Sequence, residues 1–168
     1  MTSMGFIRKP HLLLEVLESV IKVTNYRFVL FTSGYEPLDA ATRWLFPKCA
    51  VAIHHGGSGS TSAALHAGTP QVVCPCMLDQ FYWAERMFWL GVFPEPLKRN
   101  QLLTDEDDDI SIIEAASALT KSIDYALSAQ VKPNVSKISQ RLSSEFAFEK
   151  KNNKVQGQRL VFNSMDIT

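Results

Sequence analysis

The sequence predicts an α/β fold: an open parallel sheet with helices on both faces, followed by C-terminal helices. Three observations lead there. Short apolar runs alternate with helical patterns across short loops, a glycine-rich turn joins one such run to a helix, and the last third carries two more helical repeats. With 168 residues, 46% of them apolar, the chain has material for one domain with a substantial core and no more. Residues 1–104 are read as the core that holds the site, and residues 105–168 as an acidic loop and C-terminal helices of the same domain.

The elements follow in order. Pro10 suits the first turn of a helix whose residues Leu13, Val16, Leu17, Val20 and Ile21 make one apolar face, ending near Thr24-Asn25. Arg27 to Thr32 reads as a buried strand, and Cys49-Ala50-Val51-Ala52-Ile53 as another. His54-His55-Gly56-Gly57-Ser58-Gly59-Ser60-Thr61 must then turn the chain. Its glycines permit positive φ and a close approach of backbone to ligand, while Ser58, Ser60 or Thr61 would cap a helix running to about Ala67. Gly68 ends that helix, Pro70 prevents its continuation, and Gln71-Val72-Val73-Cys74-Pro75 is the next strand. A helix from about Phe81 to Leu90 is closed by Gly91. Asp105-Glu106-Asp107-Asp108-Asp109 reads as a solvated loop flanking a helix N-terminus. Beyond it, Ile112, Ala116, Leu119, Ile123 and Leu127 recur at helical intervals, as do Val135, Ile138 and Leu142 after Pro133. Right-handed crossovers would place helices on both faces of the sheet.

A strand, a glycine turn and a helix N-terminus put free backbone N–H groups and the positive end of a helix dipole at one point, a setting for phosphate. His55 would add a donor. Glycine-serine turns before helices are also common without any ligand, and this one fits neither G-x-G-x-x-G, since Ser62 stands last, nor a P-loop, since it lacks the lysine. The downstream spacing favours a ligand site. Asp79-Gln80 falls just past the next strand, and in open α/β sheets ligands sit outside the carboxyl ends of the strands, so both polar clusters share one rim. A carboxylate beside an amide is suited to vicinal sugar hydroxyls, because Asp accepts while Gln both donates and accepts.

Several other functions are disfavoured. Seventeen basic and seventeen acidic residues leave no net charge to attract nucleic acid. No run of about twenty apolar residues is present, and Met1 to Phe6 makes no signal peptide, so a soluble cytoplasmic chain is expected. Cys49, Cys74 and Cys76 suit reduced, buried thiols. Cys74-x-Cys76 with His54-His55 matches no standard zinc spacing, and Ser60 stands where G-x-S-x-G needs its final glycine. The sequon at Asn134-Val135-Ser136 is read as incidental.

From Trp44 to Leu97 the motifs W-L-F-P-x-C-A-V-A-I-H-H-G-G-S-G-S-T, H-A-G-T-P-Q-V-V-C-P and D-Q-F-Y-W-A-E-R resemble the donor-binding, Rossmann-like C-terminal half of inverting GT-B glycosyltransferases. The likeness is greatest to the sterol 3-β-glucosyltransferase group, which uses UDP-glucose. More distantly, the signature box of plant secondary-product glycosyltransferases is similar, with its H-C-G-W-N-S falling on His55 to Ser60 and its acidic-Gln pair on Asp79-Gln80. By position, the resemblance implies diphosphate contacts from His55, Gly57, Ser58, Gly59, Ser60 and Thr61, and sugar contacts from Asp79 and Gln80. It implies UDP-glucose as donor, no metal and no other cofactor, since His55 and the helix N-terminus would serve the leaving group. His54 is read as structural or as a support for its neighbours.

The resemblance also implies what is not here. A complete enzyme has an N-terminal domain that binds the sterol or lipid acceptor and supplies the catalytic base, so no catalytic residue is assigned to this chain. Ser3-Met4-Gly5 resembles the end of a loop that follows the first strand of the donor domain, so a truncated start is expected. Only Thr32 to Arg43 stands where sterol-type enzymes carry a longer segment with a base-binding loop; Tyr35 or Trp44 would stack on uracil or simply pack. Phe146 and Phe148 would cover apolar surface facing a partner domain, and a complete enzyme would associate peripherally with membranes. Three roles stay open: the incomplete donor part of a glucosyltransferase, a non-catalytic binding or interaction protein, and the donor subunit of a split two-chain transferase.

Overall fold

The computed structural model describes residues 9–30, 44–104 and 108–152, with side chains as far as residue 145. Helix α1, Pro10–Val23, begins with proline at its first turn, where the missing N–H costs nothing. It buries Leu12, Val16, Leu17 and Val20. The apolar face is therefore rotated from the one expected: Leu12 joins it, Leu13 is only partly buried, and Ile21 is exposed. Thr24 stops the helix, its hydroxyl and its N–H both donating to the Val20 carbonyl. Two residues on, the Tyr26 hydroxyl donates to the Asp124 carboxylate.

The expected strand at Arg27 to Thr32 does not form over its described part. Residues 27–30 belong to no strand, and Val29 is 72% exposed. A strand requires a ladder partner, and among the described residues the sheet has two strands, paired with each other. Thr32 and Tyr35 lie outside the described residues, as do Ser3 to Gly5 and Asp105 to Asp107.

The strand expected at Cys49 to Ile53 is displaced: β1 is Ala52–His54. Ahead of it lies a short 3-10 turn, Phe46–Lys48, with Pro47 as its second residue, and the Cys49 N–H closes it on the Phe46 carbonyl. Helix α2, Ser58–Ala67, follows, then β2, Gln71–Val73. The two strands are parallel, with Ala52 opposite Gln71 and His54 opposite Val73. The capping expectation also changes. Gly57 is the N-cap and no side chain caps the helix, because Ser58, Ser60 and Thr61 lie within it. At the other end Gly68 adopts φ 69°, the left-handed cap its residue type favours.

Helix α3, Gln80–Trp89, is followed by Gly91 in the left-handed region, and α4, Arg99–Leu102, is a single turn. Helix α5, Asp109–Ala126, is capped by Asp108, whose carboxylate accepts from the N–H groups of Ile110 and Ser111. The acidic run thus contributes a helix cap, and the expected stripe of Ile112, Ala116, Leu119 and Ile123 is buried. Helix α6, Lys132–Asn152, buries Val135 and Leu142; the side chains of Phe146 and Phe148 are outside the description. Asn134, on α6, donates through Nδ2 to the carbonyls of Gly91 and Gln130.

Two cores result. Val72 and Cys74 face one, with α1, α4 and α5; Val73 faces the other, with Leu65 of α2, Met87 of α3, Phe93 and Val135 of α6. Neighbouring residues of one strand point into opposite cores, as period-two geometry demands, so helices cover both faces of a parallel sheet. This is the Rossmann-like α/β arrangement, followed by its C-terminal helices. Among the described residues, no helix is long and apolar enough to cross a membrane.

Candidate functional site

Both polar clusters lie beyond the carboxyl ends of the strands. His54 ends β1, and the chain turns through His55, Gly56 and Gly57 into α2; Val73 ends β2, and residues 74–79 lead into α3. What brings the loops together is Gly56. It is buried with φ +85°, and a Cβ there would lie 2.8 Å from Val73 Cγ1 and 3.3 Å from the Gln80 carbonyl oxygen. Only glycine lets the first turn settle against the end of β2 and the first residue of α3.

Around that contact the donors are arranged outward. A Cβ on Gly57 would meet His55 Nε2 at 2.6 Å, so the imidazole lies over Gly57. Gly59 has nothing within 4 Å of the corresponding position among the described residues. Ser58 and Ser60 are half-buried beside it. The first intrahelical bond runs from the Thr61 N–H to the Gly57 carbonyl, and with no side-chain cap the N–H groups ahead of it have no partner within the helix. The Thr61 side chain differs from its neighbours: it is 1% exposed, and its buried hydroxyl has no hydrogen bond among the described residues.

His55 is kept neutral by its setting. Burial pushes its pKa below the ordinary histidine value, and the Asp79 carboxylate opposes that shift. A neutral ring still donates one N–H and its lone pair accepts, so His55 can bond a phosphate oxygen without carrying charge. Asp79 is exposed and accepts from Trp83 Nε1 at 3.1 Å, which aims the indole and the carboxylate along one helix flank. Gln80 turns inward. Its side-chain oxygen accepts from the N–H groups of Cys76 at 2.9 Å and Met77 at 3.0 Å, fastening the loop between β2 and α3. Leu78, at the tip of that loop, holds φ 53° and is 80% exposed.

His54 lies at the bottom of the turn. Its Nε2 is 2.7 Å from Gln71 Oε1, and its Nδ1 accepts from the Gly56 N–H at 3.0 Å. Burial pulls its pKa down to about 4. Gln71, wholly buried in β2, was no part of the site expected from sequence. The signal was present as a glutamine opening an otherwise apolar strand. Farther out, Lys48 Nζ sits 3.5 Å over the Trp44 ring, a cation–π pair on a tryptophan that is 65% exposed. Cys74 is buried and its thiol is pushed up to about 12, mainly by desolvation.

The rim sets a glycine loop after β1 and an acidic-Gln pair after β2, and it accompanies a sequence match that gives the class, the C-terminal domain of a GT-B glycosyltransferase. Residues 37–134 match the model described as erythromycin biosynthesis protein CIII-like, C-terminal domain, and the chain belongs to that family. It is also similar to sterol 3-beta-glucosyltransferases. One from Arabidopsis thaliana is 34% identical over 107 residues, 64% of this chain and 15% of the relative. A second from the same plant is 26% identical over 153 residues, 83% of this chain and 22% of the relative. The enzyme of Candida albicans is 36% identical over 101 residues, 57% of this chain and 6% of the relative. The chain thus spans less than a quarter of the length of these relatives.

Proposed function

We propose that the chain is the donor-binding part of an inverting glycosyltransferase, taking a UDP-sugar, UDP-glucose above others, for transfer to a sterol or similar lipid hydroxyl. The observation that carries this reading is the contact of Gly56 with the Gln80 backbone, which joins a phosphate-type turn and a sugar-type loop on one rim. The diphosphate would lie over Gly57, Ser58, Gly59 and Ser60, with His55 donating to it. Thr61, buried one residue deeper, would support the helix start from below. Asp79 would accept from sugar hydroxyls while the Gln80 oxygen holds the loop, leaving its amide N–H groups to face the sugar.

In the transfer, an acceptor oxygen bonds to the anomeric carbon as the bond from that carbon to the UDP oxygen breaks, with inversion. The hydroxyl proton passes to a base. Charge then gathers on the departing diphosphate, where the α2 N-terminus and His55 would stabilise it, an arrangement of fixed dipoles that needs no metal. The base and the acceptor surface would come from a region of sequence outside this chain or from a second chain. The sterol assignment rests on the names of the relatives.

The test is a thermal-shift titration of the chain with UDP-glucose, UDP and ADP-glucose, in parallel with His55→Ala. Ligand at a hundred times its Kd stabilises the native state by about 2.7 kcal/mol, so a uridine-selective rise in Tm is expected, and it should vanish in the variant. A cooperative melt that uridine nucleotides leave unmoved would remove the donor assignment.

A further inference from the structure

The glycine turn is held from beneath by a hydrogen-bonded chain whose atom roles are fixed one after another. The Gly56 N–H can only donate, and it donates to His54 Nδ1 at 3.0 Å, so that nitrogen carries a lone pair. A ring that accepts at Nδ1 is neutral and carries its one proton on Nε2, and burial, which draws its pKa down to about 4, agrees. Nε2–H then donates to Gln71 Oε1 at 2.7 Å. With that oxygen assigned, the Gln71 amide nitrogen faces the Thr61 carbonyl at 3.4 Å, which can only accept. Gln71 itself is 0% exposed.

We propose that Gln71 is a positioning residue for the diphosphate turn: by holding the His54 ring in its Nε2–H tautomer, it keeps Nδ1 available to the Gly56 N–H. The proposal rests on the donor-site reading for what the turn binds, but the linkage itself stands on geometry alone. Its effect is local and specific. Gly56 is the residue whose left-handed conformation seats the turn on Val73 and Gln80, and among the described residues its N–H donates to His54 Nδ1. At the far end of the amide, Thr61 belongs to the start of α2, so one side chain of β2 fixes both the turn after β1 and the helix whose N–H groups the turn presents. Packing alone does not require this: a methionine fills a glutamine-sized space and satisfies neither His54 nor Thr61.

The experiment uses the full chain labelled with nitrogen-15. Long-range proton–nitrogen spectra at neutral pH read the His54 tautomer, and calorimetric titration with UDP reads the site, in the parent chain, Gln71→Met and Gln71→Glu. The parent should show the Nε2–H form alone. In Gln71→Met the Nε2–H loses its acceptor, so the tautomer ratio and the Gly56 amide resonance should shift, and UDP affinity should fall roughly tenfold, the scale of one lost hydrogen bond. Gln71→Glu keeps an acceptor for Nε2–H but invites a second proton onto the ring, turning Nδ1 into a donor aimed at the Gly56 N–H. It should therefore fail like the methionine variant despite its near-identical shape. A parent His54 in the Nδ1–H or mixed form overturns the proposal, whether or not the variants fold. So does Gln71→Met or Gln71→Glu with unchanged tautomer and unchanged affinity. Should the parent bind no UDP, the donor reading falls, and the tautomer and Gly56 resonance still decide the role of Gln71.

Discussion

Replacing Gly56 by alanine tests the contact on which the site depends. At φ +85° an L-residue costs about 1–2 kcal/mol relative to glycine. The added methyl would also lie 2.8 Å from Val73 Cγ1 and 3.3 Å from a backbone oxygen. Val73 is 1% exposed and packs among Leu65, Met87 and Phe93, so it has little room to yield; overpacking of this kind costs about 1–3 kcal/mol. Together the loss is about 2–5 kcal/mol, a large part of a typical stability of roughly 5–15 kcal/mol. For a chain of this size that is a fall in Tm on the order of 10 °C. Gly59→Ala provides the contrast. That glycine lies inside α2 with nothing among the described residues within 4 Å of its Cβ position, so alanine should stabilise by about 0.5–1 kcal/mol. It should nonetheless weaken UDP, because the methyl enters the space where the diphosphate would lie. Circular-dichroism melts and urea midpoints read both variants. Gly56→Ala melting within about 2 °C of the parent chain, or Gly59→Ala as damaging as Gly56→Ala, would refute the reasoning.

Acid should weaken the fold through His54. Its folded-state pKa, about 4, lies below the ordinary 6.5, so between those values the unfolded chain binds a proton that the folded one excludes; stability is retained above pH 6.5 and declines toward pH 4 by up to about 3 kcal/mol. His55, shifted the same way, adds to the decline. Urea midpoints measured from pH 7 to pH 4 should fall, and a flat profile would contradict the neutral buried ring. Leu78→Gly should relieve the left-handed φ at the loop tip and raise stability by up to about 1 kcal/mol, read as a higher urea midpoint; a lower one would show that the conformation carries no strain.

The parts of the fold that sequence reveals are those with local causes. Gly68 and Gly91 mark helix ends because each must adopt positive φ, and the stripe from Ile112 to Ile123 declares a helix through its own period. The parts it conceals depend on distant partners. Nothing in Cys49 to Ile53 says that the ladder starts at Ala52, because that register is set where the Ala52 N–H meets the Pro70 carbonyl. Nor does the apolar run after Tyr26 reveal whether a neighbour waits to pair with it. The candidate site divides the same way. Residue types at His55, Gly57 to Ser60 and Asp79-Gln80 suggest a ligand, whereas the approach of Gly56 to Gln80 and the link from His54 to Gln71 join positions far apart in sequence. Gln80 shows how a residue type can mislead about orientation: half of its amide faces inward, toward two backbone N–H groups that no motif would have named.

The outer side of β2 gives the sheet a direction. The Val73 carbonyl, at that strand's end, already accepts from the Leu97 N–H at 2.9 Å, and Pro94 and Pro96 just before Leu97 have no N–H to offer a further strand. That flank resists the edge-to-edge templating by which exposed strands recruit copies of themselves. Among the described residues, the β1 side is therefore the more open border of the sheet. Protein engineers who wish to add a strand, or to prevent one from being added, have that border to work on first.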